Sequence, residues 1–196
     1  MRIRARYAAA AFAVAALVGL SAPGAVAQDQ PGVAAQPVSQ VKTVKATADM
    51  IAQAGTHIIN NNSGKCIVDP GDNTADGVKL IQWSCNDNFA SQYWTPANEY
   101  QDANGNYWYQ LVNNHSNKCL GVPGASTQKG VQVIQWPCGN YPDHWWGFQP
   151  AANNTFRILS YNDPNLCLGI PGASTADGAA VIQWPCGTWA DHYWHF

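Results

Sequence analysis

Short apolar runs separated by polar turn residues recur three times along most of the chain. Each unit opens with an apolar run that ends in a cluster of Asn, Ser, Gly or Asp, which is typical of a strand and a tight turn. A second run carries a cysteine, a Pro-Gly pair turns the chain, and a third run ends in Ile-Gln-Trp. The opening runs are residues 57–59, 109–112 and 156–159, and the third runs are residues 78–83, 131–136 and 179–184. With a fourth strand after a closing polar-x-Trp triplet, the pattern predicts an all-β chain of about twelve short strands.

The three units are copies of one sequence. Residues 119–148 and 167–196 are identical at 20 of 30 positions, and a looser copy begins at Cys66. In every copy the two cysteines are 19 residues apart. A repeat of this size decides the architecture, because copies of one unit stack against each other to bury a common core. Periodicity alone allows a propeller or a barrel.

The six cysteines form three equally spaced pairs. Six cysteines allow fifteen connectivities, and the symmetry of the copies selects one. The predicted disulfides are Cys66–Cys85, Cys119–Cys138 and Cys167–Cys186. Zinc ligation is the alternative, but the close cysteine spacing of zinc sites is missing. We therefore expect one disulfide within each repeat and no metal site.

The first 27 residues are typical of a secretory signal peptide. Arg2, Arg4 and Arg6 precede an apolar run at residues 8–20, and residues 25–27 form a small-residue cleavage site. A membrane anchor is the alternative, but this run is shorter than the roughly 18 residues that a spanning helix needs. We therefore predict a secreted, extracellular protein, in which disulfides form.

Residues 28–53 separate the signal peptide from the first repeat. They are rich in Gln, Ala, Val and Pro, and they show neither strand alternation nor a capped helix. We predict a flexible spacer here, with a short helix near residues 46–54 as an alternative.

The charge of the chain argues against two classes of partner. The chain has 10 basic and 12 acidic residues, and removal of residues 1–27 takes away three arginines, which leaves 7 basic and 12 acidic residues and a net charge of −5. An acidic chain without a basic run argues against nucleic acid as a partner, and against membranes once the signal is removed. We expect a monomer.

The repeats resemble a known family in three respects. They are tandem units of about 45 residues, each holds an internal cysteine pair, and each closes on a triplet of the Gln-x-Trp type. In these features residues 54–196 resemble the ricin B-chain type lectin domain, a family that includes carbohydrate-binding modules of family thirteen. The resemblance implies a β-trefoil with about four short strands in each repeat, and repeat boundaries near residues 54–100, 101–150 and 151–196.

The resemblance also implies one shallow sugar site in each repeat. The family places an acid two positions after the first cysteine, an aromatic residue two before the second, and polar residues at and just before the Gln of the triplet. The matching aromatic residues are Trp83, Trp136 and Trp184, and the polar pairs are Ser91 with Gln92, Asp143 with His144, and Asp191 with His192. The acid position holds Val68, Gly121 or Gly169, so the usual acid is absent from all three repeats.

A displaced carboxylate is our hypothesis for these sites. Asp143 and Asp191 would supply it from the opposite wall, and Asp69 would supply it in the first repeat, because a carboxylate accepts strong hydrogen bonds from hydroxyl groups. The three Trp residues would stack on the C–H face of a sugar. Alternatively these Trp residues belong to the core, because each shares a strand face with an Ile residue.

The closing triplets hold residues that we expect to be structural. Trp94, Trp146 and Trp194 end the triplets and are predicted to lie in the core, because buried aromatic residues carry much of a β core. His144 and His192 replace the family's Gln and are predicted to keep its structural hydrogen bond. A proton switch is the alternative role of these histidines.

The sequence predicts binding rather than catalysis. Glu99 is the only glutamate, the common hydrolase, zinc-protease and phosphate-loop motifs are missing, and we expect no cofactor. Three functions remain open. The first is a secreted lectin-like protein that binds glycans or cell-wall polysaccharide. The second is a secreted interaction protein or inhibitor whose sugar sites have lapsed, and the last is a small glycoside hydrolase.

Overall fold

The structure, a computed structural model, describes residues 41–47 and 55–196. Within these ranges it consists of thirteen short β-strands joined by turns and single-turn 3₁₀ segments. The strands are β1 (Thr56–His57), β2 (Ile59–Asn60), β3 (Lys65–Val68), β4 (Ile81–Ser84), β5 (Tyr93–Gln101), β6 (Tyr107–Asn113), β7 (Lys118–Gly121), β8 (Ile134–Pro137), β9 (Trp145–Pro150), β10 (Phe156–Ser160), β11 (Leu166–Gly169), β12 (Ile182–Pro185) and β13 (Trp194–His195). The predicted all-β class is confirmed.

The longer strands close into a barrel. β5 pairs with β6, β6 with β9, β9 with β10 and β10 with β13, all antiparallel. β1 and β2 are two halves of one strand interrupted at Ile58, and they close the barrel because β1 pairs with β5 and β2 with β13. The hairpins β3–β4, β7–β8 and β11–β12 form a cap in which they are bridged to one another. This is the predicted β-trefoil, with four strand positions in each repeat.

Two strand bounds differ from the prediction. The third strands were expected from residues 78, 131 and 179, but regular pairing begins three residues later in every repeat, at Ile81 in the first. The residues before it bond to other hairpins, as when the Leu80 amide donates to the Val133 carbonyl at 3.0 Å. The fourth strand was expected after the closing triplet, but it begins inside the triplet. It does so because the Trp of the triplet is itself a strand residue that points into the barrel.

Three symmetry-related tryptophans anchor the core. Trp94, Trp146 and Trp194 are fully buried among the apolar residues of the barrel and the cap. Each indole Nε1–H donates to a carbonyl in the second strand of its own repeat. The acceptors are Ile67 at 3.0 Å, Leu120 at 2.9 Å and Leu168 at 3.1 Å. Burial and a satisfied polar group together make these residues structural. The core role predicted for them is confirmed.

The Gln of each Ile-Gln-Trp run connects neighbouring repeats. Gln82 is fully buried, and its Nε2 donates to the Ser174 and Ala176 carbonyls of the third repeat at 2.8 and 3.0 Å. Gln135 and Gln183 bond in the same way to the first and second repeats. The Ser63 and Ser116 hydroxyls donate to the Oε1 atoms of Gln82 and Gln135. The Oε1 atom of Gln183 has no partner among the described residues, because Pro164 stands where the other repeats have serine.

One disulfide lies within each repeat, as predicted. The bonded pairs are Cys66–Cys85, Cys119–Cys138 and Cys167–Cys186, with Cα–Cα distances of 5.2, 4.9 and 5.1 Å. Each bond joins the second strand of a repeat to the residue that follows its third strand. In the chain-entropy model, closing a loop of this length stabilises the fold by roughly 3 kcal/mol. His57 lies beside Cys66 and Cys85, but the disulfide leaves no thiolate there to bind a metal ion.

The flexible spacer predicted for residues 28–53 is wrong for residues 41–47, which pack on the barrel as a strap. The Thr43 hydroxyl donates to the Tyr107 carbonyl at 2.7 Å, Val44 bridges Phe148, and the Ala46 amide donates to the Tyr109 hydroxyl at 3.0 Å. Thr43 and Ala46 are buried. So short a segment has no periodicity of its own, and its partners lie more than sixty residues away.

The remaining N-terminal predictions lie outside the described residues. These are the signal peptide at residues 1–27, the rest of the spacer at residues 28–40 and 48–53, and most of the alternative helix near residues 46–54. In the part of the chain that the structure describes, no helix has the length and hydropathy to cross a membrane.

Candidate functional site

The turns around the hairpins form related hollows in the first two repeats, and the third repeat carries the corresponding residues. Site 1 is lined by Asp69, Trp83, Phe89, Ser91 and Gln92 and has a volume of about 330 Å³. Site 2 is lined by Trp136, Tyr141, Asp143 and His144 and has a volume of about 450 Å³. Site 3 consists of the corresponding residues Trp184, Trp189, Asp191 and His192. The structure therefore brings together the predicted residues of sites 1 and 2, and in site 3 it places Asp191 and Trp189 beside His192.

The Trp of each Ile-Gln-Trp run lies at the surface. Trp83 is 45% exposed and Trp136 is 42% exposed, so the alternative that these residues belong to the core is wrong. The neighbouring Gln side chains are buried instead, because they bond to the turn carbonyls of the next repeat. Trp184 is half-buried, and the Lys129 ammonium lies 5.1 Å from its ring centroid.

A second aromatic residue lines sites 1 and 2, and neither Phe89 nor Tyr141 was among the sequence-predicted site residues. Phe89 is 42% exposed and Tyr141 is 54% exposed, and each lines the same hollow as its repeat's Trp. Trp189 holds this position in the third repeat. All three stand five residues before the closing Trp, so the repeat alignment already contained the signal.

The carboxylates of sites 2 and 3 lie against the family's acid position. The Asp143 Oδ2 atom accepts a hydrogen bond from the Val122 amide at 3.2 Å, and Asp191 accepts one from the Ile170 amide at 3.0 Å. A Cβ atom on Gly121 would lie 3.3 Å from the Asp143 Oδ2 atom. The carboxylate thus reaches this wall from the opposite side. That it binds a ligand hydroxyl stays a prediction.

The histidines of sites 2 and 3 are buried beside these carboxylates. His192 Nδ1 accepts from the Gly187 amide at 3.2 Å, as Gln92 Oε1 accepts from the Asn86 amide at 2.7 Å in the first repeat. His192 therefore keeps the structural hydrogen bond of the family's Gln. The Nδ1 atom of His144 has no such partner among the described residues.

Burial favours the neutral form of the imidazoles in sites 2 and 3. Burial lowers the pKa of His144 and of His192, and the neighbouring aspartate only partly opposes this effect. In each pair the His Nε2 atom lies 3.7 Å from the Asp Oδ2 atom. The His144 ring also packs edge-on against Tyr141, with 5.2 Å between centroids, so it fixes one wall of site 2.

Site 1 differs from the other two because Ser91 and Gln92 replace the Asp-His pair. Its acid is Asp69, which is fully buried and has neither carboxylate oxygen in a hydrogen bond within the described chain. Burial, with a smaller contribution from Asp72, raises the pKa of Asp69 to about 6. His115 and the nearby amides of Asn73 and Asp69, which do not reach hydrogen-bond geometry, oppose this shift.

Replacing Asp69 by asparagine is expected to change how stability depends on pH. Because the folded-state pKa of about 6 exceeds the ordinary aspartate pKa of 3.8, the folded state retains a proton that the unfolded chain loses. Stability therefore falls as the pH rises through this interval. Asp69→Asn cannot ionise, so we expect it to exceed the wild type in unfolding free energy by about 2–3 kcal/mol at pH 7.5 but to match it at pH 4.

Guanidinium unfolding at the two pH values measures this difference. Asp87→Asn is the matched control, because the Asp87 side chain is 91% exposed and its loss is expected to change stability little at either pH. A pH profile of Asp69→Asn that is parallel to that of the wild type would contradict the prediction.

Comparisons with known proteins agree with this geometry. The family model described as "Ricin-type beta-trefoil lectin domain-like" matches residues 50–108 and 90–184. No curated protein matches the chain. Among solved structures, the designed threefold-symmetric protein ThreeFoil is 28% identical with a TM-score of 0.65, over 71% of this chain and 94% of that one.

Two further structures share the fold at lower identity. The ricin B-like lectin of Macrolepiota procera, solved in complex with lactose, is 20% identical with a TM-score of 0.56, over 71% of this chain and 91% of that one. An exo-beta-1,3-galactanase from Clostridium thermocellum is 22% identical with a TM-score of 0.65, over 71% of this chain but only 29% of the enzyme. Together with the family match across most of the chain, the trefoil and its repeat-related hollows show that the protein belongs to the ricin-type beta-trefoil lectin domain-like family.

Proposed function

We propose that the protein is a secreted lectin-like protein that binds neutral sugars or polysaccharide without cleaving them. Site 2 supports this proposal best. Trp136 and Tyr141 expose aromatic surface in one hollow, and Asp143 places a carboxylate there. Aromatic rings bind the C–H face of a sugar, and a carboxylate accepts hydrogen bonds from its hydroxyl groups.

The three sites are expected to differ in affinity. Site 1 has Phe89 in place of the Tyr141 phenol, and its acid is buried. In site 3 the ring of Trp184 is partly covered by Lys129. Site 2 combines two exposed rings with Asp143, whose side chain is 10% exposed whereas Asp69 is fully buried, so we propose that it contributes most of the binding.

The comparisons and the sequence support separate parts of the proposal. The Macrolepiota procera lectin was solved with lactose, and an earthworm R-type lectin of the same fold was solved with GalNAc. These ligands support a carbohydrate partner for the present chain. The signal-like residues 1–27 and the three disulfides support export, because disulfides persist in oxidising compartments.

The alternative is an interaction protein or inhibitor whose sugar sites have lapsed. The missing family acids favour this alternative, but Asp143 and Asp191 occupy the same walls. A small hydrolase has less support. Glu99 pairs with Lys45 at 3.2 Å and accepts the Tyr109 hydroxyl at 2.8 Å, so it supports the strap and is not among the residues that line sites 1 and 2.

Binding to insoluble polysaccharide tests the proposal. We expect wild-type protein to be retained by at least one of galactan, xylan, β-glucan and chitin and to be released by soluble sugar. Trp136→Ala is expected to weaken binding about tenfold, because it removes the stacking surface of site 2.

Trp83→Ala is the matched control for this experiment. It removes an equally exposed tryptophan from site 1 and is expected to retain most of the binding. No retention of the wild type on any polysaccharide would contradict the proposed function. If Trp136→Ala binds as tightly as the wild type, site 2 does not take part in the proposed binding.

A further inference from the structure

A second aromatic hollow lies beside site 2. We call it the hairpin cleft. It consists of a cavity of about 340 Å³ and a cavity of about 350 Å³, which share Asn140 and Trp145. Its lining includes the side chains of Asn98, Tyr100, Gln110, Asn140, Trp145 and Tyr161. None of them belongs to the three repeat-related sites.

The aromatic walls of the cleft are held by defined contacts. The Tyr100 ring packs edge-on against Trp145 and against Tyr161, with 6.0 Å between centroids in each case. Trp108 supports Tyr161 at 5.0 Å, and its indole Nε1–H donates to the Asp102 carboxylate at 3.0 Å. The walls are therefore positioned before any ligand binds, which lowers the entropy cost of binding.

The second repeat differs from the others in the residue that lies beside this aromatic side chain. Trp145 corresponds to Tyr93 and Tyr193. Tyr93 packs against His57 at 4.3 Å, and the Arg157 guanidinium lies 6.0 Å from the Tyr193 ring centroid. In the second repeat the residue equivalent to His57 and Arg157 is Gln110, which instead donates to the Gly139 carbonyl and accepts from Asn98.

The chemistry of the lining fits a neutral sugar. The cleft offers three aromatic rings, phenolic hydroxyls and carboxamide groups, and none of its eight lining residues is charged. Tyr100 is 44% exposed, although an aromatic ring is more stable when buried. Rings that bind C–H faces beside amides that bond to hydroxyl groups suit a carbohydrate better than an anion or a metal ion.

The cleft is continuous with site 2 across one loop. Tyr141 lines site 2, and the preceding residue Asn140 lines the cleft. Their Cα atoms are about 3.8 Å apart, so the ridge between the two hollows is formed by this loop. His144 and Trp145 are likewise neighbours that line the two sides.

We propose that the hairpin cleft is a subsite that binds further units of the neutral glycan chain held at site 2. This inference rests on the proposed function, because it requires a sugar at site 2. A single sugar unit would contact site 2 alone, whereas a longer chain would cross the ridge at Asn140 and stack on Tyr100 and Trp145. Affinity therefore increases with chain length.

Calorimetric titration with sugars of increasing length tests this inference. The probes are galactose with β-linked galacto-oligosaccharides of up to six units, and the matching xylose series. Wild-type affinity is expected to rise with length. Tyr100→Ala is expected to bind the single sugar as the wild type does and the longest oligosaccharide about 3- to 10-fold more weakly. Tyr100→Phe keeps the ring and is expected to keep most of the increase in affinity with oligosaccharide length.

Controls separate the cleft from the proposed function. In NMR titrations the indole N–H of Trp145 is expected to shift with long oligosaccharides but not with the single sugar. Trp136→Ala is expected to weaken every length. If affinity rises with oligosaccharide length as steeply in Tyr100→Ala as in the wild type, the cleft is not a subsite, while the proposed function stands. A wild type that binds neither series nor any polysaccharide would overturn both.

Discussion

Gly121→Asp, which restores the acid usual for the family, is expected to close site 2 and to lower the free energy of unfolding by roughly 3–5 kcal/mol. A Cβ atom at this position would lie 2.7 Å from His144 Cδ2 and 2.9 Å from its Nε2. His144 is 2% exposed and cannot rotate without leaving its cavity. The new carboxylate would also face Asp143, and two like charges at short range raise the energy of both.

The first repeat supplies the control for this prediction. Val68 stands at the same position beside Gln92, so a Cβ atom already fits there. We therefore expect Val68→Asn to destabilise the protein less than Gly121→Asp does. The double variant Gly121→Val with His144→Gln copies the first repeat and is expected to recover most of the stability lost by Gly121→Val alone.

Chemical unfolding and sugar titration measure the two effects together. Gly121→Asp should lower both the unfolding free energy and the affinity of site 2. A stable Gly121→Asp variant that binds sugar as tightly as the wild type would contradict the view that His144 and Asp143 fill this wall. It would also show that the family's acid is compatible with the second repeat.

The sequence predicts the features that the repeats share. The disulfides and the core position of Trp146 follow from symmetry, because three copies of one sequence must make the same contacts three times. Features outside the repeated pattern were not predicted from the sequence. The strap at residues 41–47 is outside the repeats, and the hairpin cleft depends on Tyr100, a residue of the β5–β6 hairpin next to a register shift.

The alternation of Ile, Gln and Trp illustrates a different limit. A period of two shows which residues share a face of a strand but not which face is buried. Here the polar Gln82 is buried because two carbonyls of another repeat accept its amide hydrogens. Those carbonyls lie more than ninety residues away, so no local sequence pattern predicts this contact. The exposure of Trp83 follows from this long-range contact.

Trp146→Ala is expected to lower the free energy of unfolding by about 3–5 kcal/mol, because it leaves a cavity at the centre of the barrel. The indole is fully buried, and its Nε1–H satisfies the Leu120 carbonyl at 2.9 Å. Trp146→Phe keeps most of the ring but leaves that buried carbonyl unpaired, so we expect an intermediate loss of about 1–3 kcal/mol.

The adjacent tryptophan provides the comparison for this prediction. Trp145 points to the other face of β9, is half-buried and lines the hairpin cleft. Trp145→Ala should therefore cost stability by only about 1 kcal/mol, while it removes the gain in affinity with glycan length. Thermal and guanidinium unfolding of the three variants measure the difference. Equal destabilisation by Trp145→Ala and Trp146→Ala would mean that the two faces of β9 do not divide between the core and the ligand surface.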